Sequence, residues 1–305
     1  METKFKKPKE FGEILDHTFS LSKAHFKDFF MILLIIMGPI YLLEAIIQLF
    51  SGKGFFREKG NGNGWIKQII SSFDQSQTDT PPNFNADIGL IVSGLIGFLL
   101  LSVGRAAIIF ALNHIRNGED YTIRSLIKQS FSRFWPMLGS NIIFGLIVTG
   151  MTIIPIFIVS LTGVFGSMVN PILGILLAIV LFLGFAVGIG LLLTRWSFYF
   201  GAVVLDRDAP GISRSWSLTK NRTWILMGLY IVFYFIISAV SMAVQMSAGI
   251  FLGDSVLLYI ITNLVTIITT IFFSVGYGVM YLDLKIRHDA EDLKEMIDDY
   301  QTKTL

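Results

Sequence analysis

Cysteine is missing from this 305-residue chain. That excludes disulfide scaffolds, thiolate metal sites and cysteine nucleophiles, and leaves the redox compartment open. Charge is scarce: 15% of residues are Asp, Glu, Lys or Arg, and 24 basic against 22 acidic side chains leave a formal net charge of +2. A chain so close to neutral carries no general basic field for a polyanion, so nucleic acid is not an expected partner. Histidine occurs four times, at His17, His25, His114 and His288. None stands in a His-Glu-x-x-His or comparable spacing, so no metal is expected. The sequence also lacks a phosphate-cradling Gly-x-x-x-x-Gly-Lys-Ser/Thr loop and a Gly-x-Ser-x-Gly nucleophile elbow. Neither nucleotide hydrolysis nor serine hydrolase chemistry has support, and no cofactor is implied.

What the chain has in quantity is apolar surface. Hydrophobic residues make up 53% of it and the mean hydropathy is +0.67, far above the balance of a soluble domain. A bilayer core of roughly 30 Å takes about 20 apolar residues as a helix. Six stretches meet that length, about 29–50, 88–112, 136–162, 172–194, 224–250 and 256–281. The basic N-terminus (Lys4, Lys6, Lys7, Lys9) resembles a signal peptide, but the apolar run from Phe29 to Phe50 is too long for one and no small-residue cleavage site follows. It is read as a retained first span.

Basic residues set the expected orientation. Segments 1–28, 113–135, 205–223 and 282–305 hold 18 Lys and Arg, and the alternate segments 51–87, 163–171 and 251–255 hold 4. The excess predicts a cell-membrane protein with both termini in the cytoplasm. The expected fold is an all-α polytopic bundle of six transmembrane helices. Its organisation reads as a cytoplasmic amphipathic segment at 1–28, a membrane domain at 29–281 with an outer loop at 51–87, and a charged helical tail at 282–305.

Three hairpins emerge from the pattern, each preceded by a short amphipathic helix expected to lie in the cytoplasmic interface. Phe11, Ile14, Leu15, Thr18, Phe19, Ser22 and Phe26 share one helical face, opposite Glu13, Asp16, Lys23 and Lys27. Ile123, Leu126, Ile127, Ser130, Phe131 and Phe134 repeat this before the third span. Before the fifth, Asp208 is the expected N-cap with Pro210 in the first turn, and Ile212, Trp216, Thr219 and Thr223 form a weaker stripe. Phe19-Ser20-Leu21-Ser22-Lys23 and Trp216-Ser217-Leu218-Thr219-Lys220 echo each other. The selection that places aromatic and basic residues at inner boundaries gives an alternative account of that echo. In the outer loop, Trp65, Ile66, Ile69, Ile70 and Phe73 predict an apolar helical stripe resting on the outer leaflet or over the spans.

After the last span the chain reads Tyr281-Leu282-Asp283-Leu284-Lys285-Ile286-Arg287-His288-Asp289-Ala290-Glu291-Asp292-Leu293. This resembles the ending of bacterial polytopic proteins of the glycerophosphoryl diester phosphodiesterase membrane-domain type. Asp283, Leu284, Arg287, Asp292 and Leu293 fit that pattern, whereas Lys285, Asp289 and Ala290 depart from it. Arg214-Ser215-Trp216-Ser217-Leu218-Thr219-Lys220 is similar to a second element of the same family. The resemblance implies architecture and not activity, because the catalytic barrel of the named enzymes has no counterpart here. Physically, Asp283 with Arg287, Lys285 with Asp289 and Arg287 with Glu291 are i,i+4 pairs, which suit a solvated helix or a docking surface.

Ionisable residues inside spans are functional candidates. Glu44, near the outer end of the first span, is expected to reach headgroups. Arg105 and Arg195, near the inner ends of the second and fourth spans, are expected to snorkel toward inner phosphates. With Lys220, Asp283, Lys285 and Arg287 they form the candidate set for lipid-headgroup binding or docking. Gly184-x-x-x-Gly188 and Gly249-x-x-x-Gly253 are expected to be close helix contacts within the bundle. The function expected is that of a non-enzymatic accessory, scaffold or lipid-interacting membrane protein. Its partners would be membrane lipid with anionic headgroups and a further membrane protein. A small transporter or export factor is the alternative, drawing on the polar set Gln245, Thr262, Asn263, Thr266, Thr269 and Thr270 in the last two spans.

Overall fold

A computed structural model describes residues 8–56, 84–253 and 255–303, with the last stretch as backbone alone beyond Ala290. Among the described residues there is no strand. Nine helices follow one another: α1 (Phe11–Ala24), α2 (Phe26–Phe50), α3 (Phe84–Asn117), α4 (Ile123–Ser132), α5 (Phe134–Val169), α6 (Pro171–Trp196), α7 (Ile212–Leu218), α8 (Thr223–Leu252) and α9 (Val256–Lys303). Six of them, α2, α3, α5, α6, α8 and α9, are long and apolar enough to cross a membrane. The protein is an all-α polytopic bundle. The apolar stripe expected at Trp65–Phe73 and the side chains of Asp289 and Glu291 lie outside the described residues.

Several helices begin where local chemistry satisfies their free N–H groups. The Glu10 N–H donates to the Glu13 carboxylate (2.9 Å) in a capping box at α1. Thr122 Oγ1 accepts from the Ser125 N–H at α4. Asn170 Oδ1 accepts from the N–H groups of Ile172 and Leu173 at α6, whose first residue is Pro171. The first N–H groups of α9 donate to the carbonyls of Gly54 and Phe55, both at 3.1 Å, which ties the chain just after α2 to the start of the last helix. Before α7 the sequence expectation fails. The helix begins at Ile212 after Gly211 in the left-handed region (φ 75°), and Asp208 does not cap it. Glycine alone takes that backbone conformation without strain, so the turn and not an acidic cap sets the start.

Helices α2 with α3, α5 with α6 and α8 with α9 pair as hairpins, and α9 packs in addition on α1, α2 and α3. The core therefore gathers around α9: Phe29, Ile32 and Leu33 of α2, Ala106 to Leu112 of α3, and Ile271, Val275 and Val279 to Leu282 of α9 are buried. By contrast α5 and α6 turn most of their large apolar side chains outward, Ile153, Phe157, Val180 and Phe182 among them. Such a face is compatible with a membrane as its surroundings. Helix α1 buries Ile14, His17, Thr18, Leu21 and Ser22. The buried face is thus turned from the expected stripe, because α1 packs on α9 and leaves Phe11 and Phe19 at the rim.

The expected glycine contacts are elsewhere too. A Cβ at Gly184, Gly188 or Gly249 would meet nothing within 4 Å, so these glycines make no close helix contact. The close approach of α5 to α6 is at Gly166 and Gly174, where each backbone fills the space that the other's Cβ would need.

Candidate functional site

The end of the bundle that carries α1, α4 and α7 also holds most of the charged groups among the described residues, and one carboxylate joins several elements there. After α6 the chain makes a short turn at Tyr199–Gly201 and a wider π-helical turn at Ala202–Asp206, closed by Arg207 in the left-handed region. This brings Asp206 back over the bundle. Its carboxylate accepts from Tyr281 Oη (2.7 Å) and Lys285 Nζ (2.6 Å), and faces Arg214 Nε at 3.4 Å. The two stretches that carry the family resemblance, at 214–220 and 281–293, therefore meet at Asp206. Gly201 sits against the Tyr281 ring, where a Cβ would overlap it.

A second clamp holds the N-terminal segment. Asp283 accepts from the Lys9 backbone N–H (2.7 Å) and from Arg287 Nε (2.8 Å), and Arg287 Nη2 donates to the Lys9 carbonyl (2.7 Å). Asp283 is 3% exposed, so it is no member of a solvated helix face. Burial pulls the Lys9 ammonium pKa down, while Asp283 and Glu13 oppose the fall and Arg116 and Arg287 add to it. Asp283, Lys285 and Arg287 act as docking residues inside the chain: they fix α1 and the α6–α7 turn to α9.

Arg195 and Arg105 do not share a site. The Arg195 guanidinium lies 4.1 Å over the Trp216 ring and its Nε donates to Thr223 Oγ1 at 3.3 Å. Its carbonyl accepts from Ser215 Oγ at 2.6 Å, which ties α7 to the end of α6. Lys220 is exposed beside a groove of about 370 Å³ that Arg222, Arg287 and His288 also line. Burial, then repulsion from Arg287, hold the Arg222 pKa below its usual value against the pull of Asp283 and Glu10. Among the described residues, neither Lys220 nor Arg222 is in an ion pair.

Arg105 turns its buried Nε into the bundle. It lies twelve residues before the end of α3, ~18 Å along the helix. It lines a cavity of about 340 Å³ between α3, α5, the α6–α7 turn, α8 and α9, with Tyr199, Tyr230, Phe273, Ser274 and Tyr277 among the walls. Glu44 is likewise turned in. It is 9% exposed and accepts from Ser93 Oγ (2.9 Å) and from the Tyr259 hydroxyl, so it does not reach headgroups.

A family model described as "Domain of unknown function (DUF7847)" matches residues 34–282, most of the chain. The chain belongs to the DUF7847 family. No curated protein and no solved structure matches it. The DUF7847 match takes in Arg105, Asp206, Arg214, Ser274 and Tyr281, and stops one residue before Asp283. The hub at Asp206 lies inside the matched segment except for Lys285, and the clamp on Lys9 lies outside it.

Sequence reasoning missed Asp206, Ser274, Tyr277 and the burial of Glu44. A signal was present for the first: a carboxylate directly after the run Ala202-Val203-Val204-Leu205 needs a partner. Tyr277 and Tyr281 stand i,i+4 on the last span, on one helical face. Nothing local marked Ser93 and Tyr259 as partners of Glu44.

Proposed function

We propose that this is a non-enzymatic integral protein of the bacterial cell membrane, an accessory or scaffold module that interacts with anionic lipid, with both termini in the cytoplasm. The bias of basic residues toward one set of segments supports that orientation. The observation that carries the lipid reading is the groove flanked by Lys220 and Arg222, two cations in no close ion pair among the described residues, with Asp283 and Glu10 attracting Arg222 from further off. With the termini inside, they stand at the level of inner-leaflet headgroups. Asp206, Arg214, Asp283, Lys285 and Arg287 at that end are engaged in holding elements together, which favours a structural module over a reaction centre. The likeness of two motifs to the glycerophosphoryl diester phosphodiesterase membrane-domain type forms part of this reading as kinship of architecture and brings no activity with it.

The test is native mass spectrometry of the full chain from vesicles of phosphatidylglycerol and phosphatidylcholine. A basic residue near an anionic surface contributes about 1 kcal/mol, roughly fivefold in affinity. The Lys220→Gln/Arg222→Gln variant is expected to retain several-fold less phosphatidylglycerol, with phosphatidylcholine unaffected. Equal retention of the anionic lipid by the variant defeats the reading. The second reading, a small transporter or export factor, draws on the cavity around Arg105.

A further inference from the structure

The groove accounts for charges at one end of the bundle and leaves Arg105 unexplained. A guanidinium stays protonated in a protein, and enclosing it without an anion is costly. Its Nε is buried with no hydrogen-bond partner, and among the described residues no carboxylate pairs with it. Its neighbours are the Phe273 ring, 5.5 Å from the guanidinium carbon, and the phenols of Tyr199 and Tyr277.

The phenols are already committed. Tyr199 Oη donates to Asn141 Oδ1 (2.7 Å), and Tyr277 Oη donates to the Ser197 carbonyl while accepting from the Gly201 N–H. One more donor stands open on the facing helix: Ser274 Oγ on α9 is also buried without a partner and lines the same cavity. Two unsatisfied donors from different helices thus converge on one space of about 340 Å³ whose other walls are mainly aromatic.

We infer that this cavity is a binding site for a monoanionic amphiphile, its acidic head accepting hydrogen bonds from Arg105 and Ser274 and its apolar body lying against the aromatic rings. A single cation sets the charge at one, because a dianion would bring an uncompensated charge into the bundle. Among the described residues no acidic side chain lines the cavity, so a cationic or zwitterionic head has no counter-charge there. Water can fill the space and hydrate the donors, but it leaves the positive charge unmatched. The lining reaches α5, whose outer face is apolar and which makes little contact with α3, so the site adjoins the lipid phase from which an amphiphile would enter. A carboxylate of a single-chain acid and the phosphodiester of an anionic phospholipid share this head chemistry.

The experiment adds dodecanoate, short-chain phosphatidylglycerol or neutral dodecanol to the full chain in an uncharged detergent and reads binding by native mass spectrometry. One or both anions are expected to bind at one per chain and dodecanol at least tenfold more weakly. Which anion binds tells the single-chain acid from the phospholipid. Arg105→Gln is expected to lose at least tenfold of that binding, Ser274→Ala less, and Arg105→Lys to keep part of it. The Lys220→Gln/Arg222→Gln variant is expected to keep it whole, which separates this site from the groove. Without ligand, Arg105→Gln is expected to unfold no more readily than the native chain, since it removes an unmatched charge. The inference is overturned if neither anion binds, if dodecanol binds equally well, if Arg105→Gln binds as the native chain does, or if Arg105→Gln unfolds more readily without ligand.

Discussion

Asp206 joins three elements through one carboxylate, and its substitution by Asn tests whether that junction holds the bundle. Asn keeps the shape and still accepts from Tyr281 Oη, now 2.7 Å away, but it removes the charge facing Lys285 and Arg214. Hydrogen bonds to charged groups contribute about 1.5–3 kcal/mol. The Arg214 contact is long at 3.4 Å, and the Lys285 and Arg214 side chains are 31% and 29% exposed, so water recovers part of what they lose. The expected cost of Asp206→Asn is then about 2 kcal/mol, roughly 30-fold in the unfolding equilibrium. Lys285→Met removes one of the three partners and is expected to cost about half as much. The double variant is expected to fall short of the sum by about 1 kcal/mol, the coupling of the pair. Unfolding by a denaturing detergent, followed by tryptophan fluorescence, is a suitable assay because Trp196 and Trp216 lie 5.9 Å apart beside this junction. Strict additivity of the two single variants, or an Asp206→Asn cost no larger than that of Lys285→Met, would refute the reasoning.

Two further outcomes are expected. Because the native chain has no cysteine, single cysteines at Asn61, Asn83 and Thr302 report orientation directly. The first two are expected to react with an impermeant maleimide on intact cells and the third only after lysis, and labelling at Thr302 in intact cells overturns the orientation. The glycines divide by what surrounds them. Gly201→Ala drives a Cβ into the buried Tyr281 ring and is expected to cost about 1–3 kcal/mol, whereas Gly184→Ala/Gly188→Ala points into open space and is expected to stay within about 0.5 kcal/mol per site. Equal detergent stability of the two variants contradicts the packing described.

The six long helices were legible because a bilayer imposes a length on an apolar run whatever its neighbours are. Direction around a helix was less legible. Hydropathy says that Arg105 lies in an apolar run, but whether it turns toward headgroups or toward Tyr199, Phe273 and Ser274 depends on where α5, α6 and α9 pack, and that is a long-range property. Glu44 failed in the same way: its bonds to Ser93 and Tyr259 cross to two other helices. The α7 start failed for a local reason, since Asp208 and Pro210 form a good cap on paper and a glycine at φ 75° moved the N-cap three residues on.

The charged motifs and the isolated cations therefore divide the work between them. Asp206, Asp283, Lys285 and Arg287 were singled out or missed as charges on a surface, yet each is spent on another part of this chain, and a ligand that took any of them would have to break the junction first. Lys220 and Arg222 hold no such bond, and Arg105 holds none through its buried Nε. A cation that the fold does not use is where an outside anion can bind without cost to the structure. The groove beside α7 and the cavity between α3 and α9 are places where such cations also line a concave space, and that is why we place both proposed ligands there.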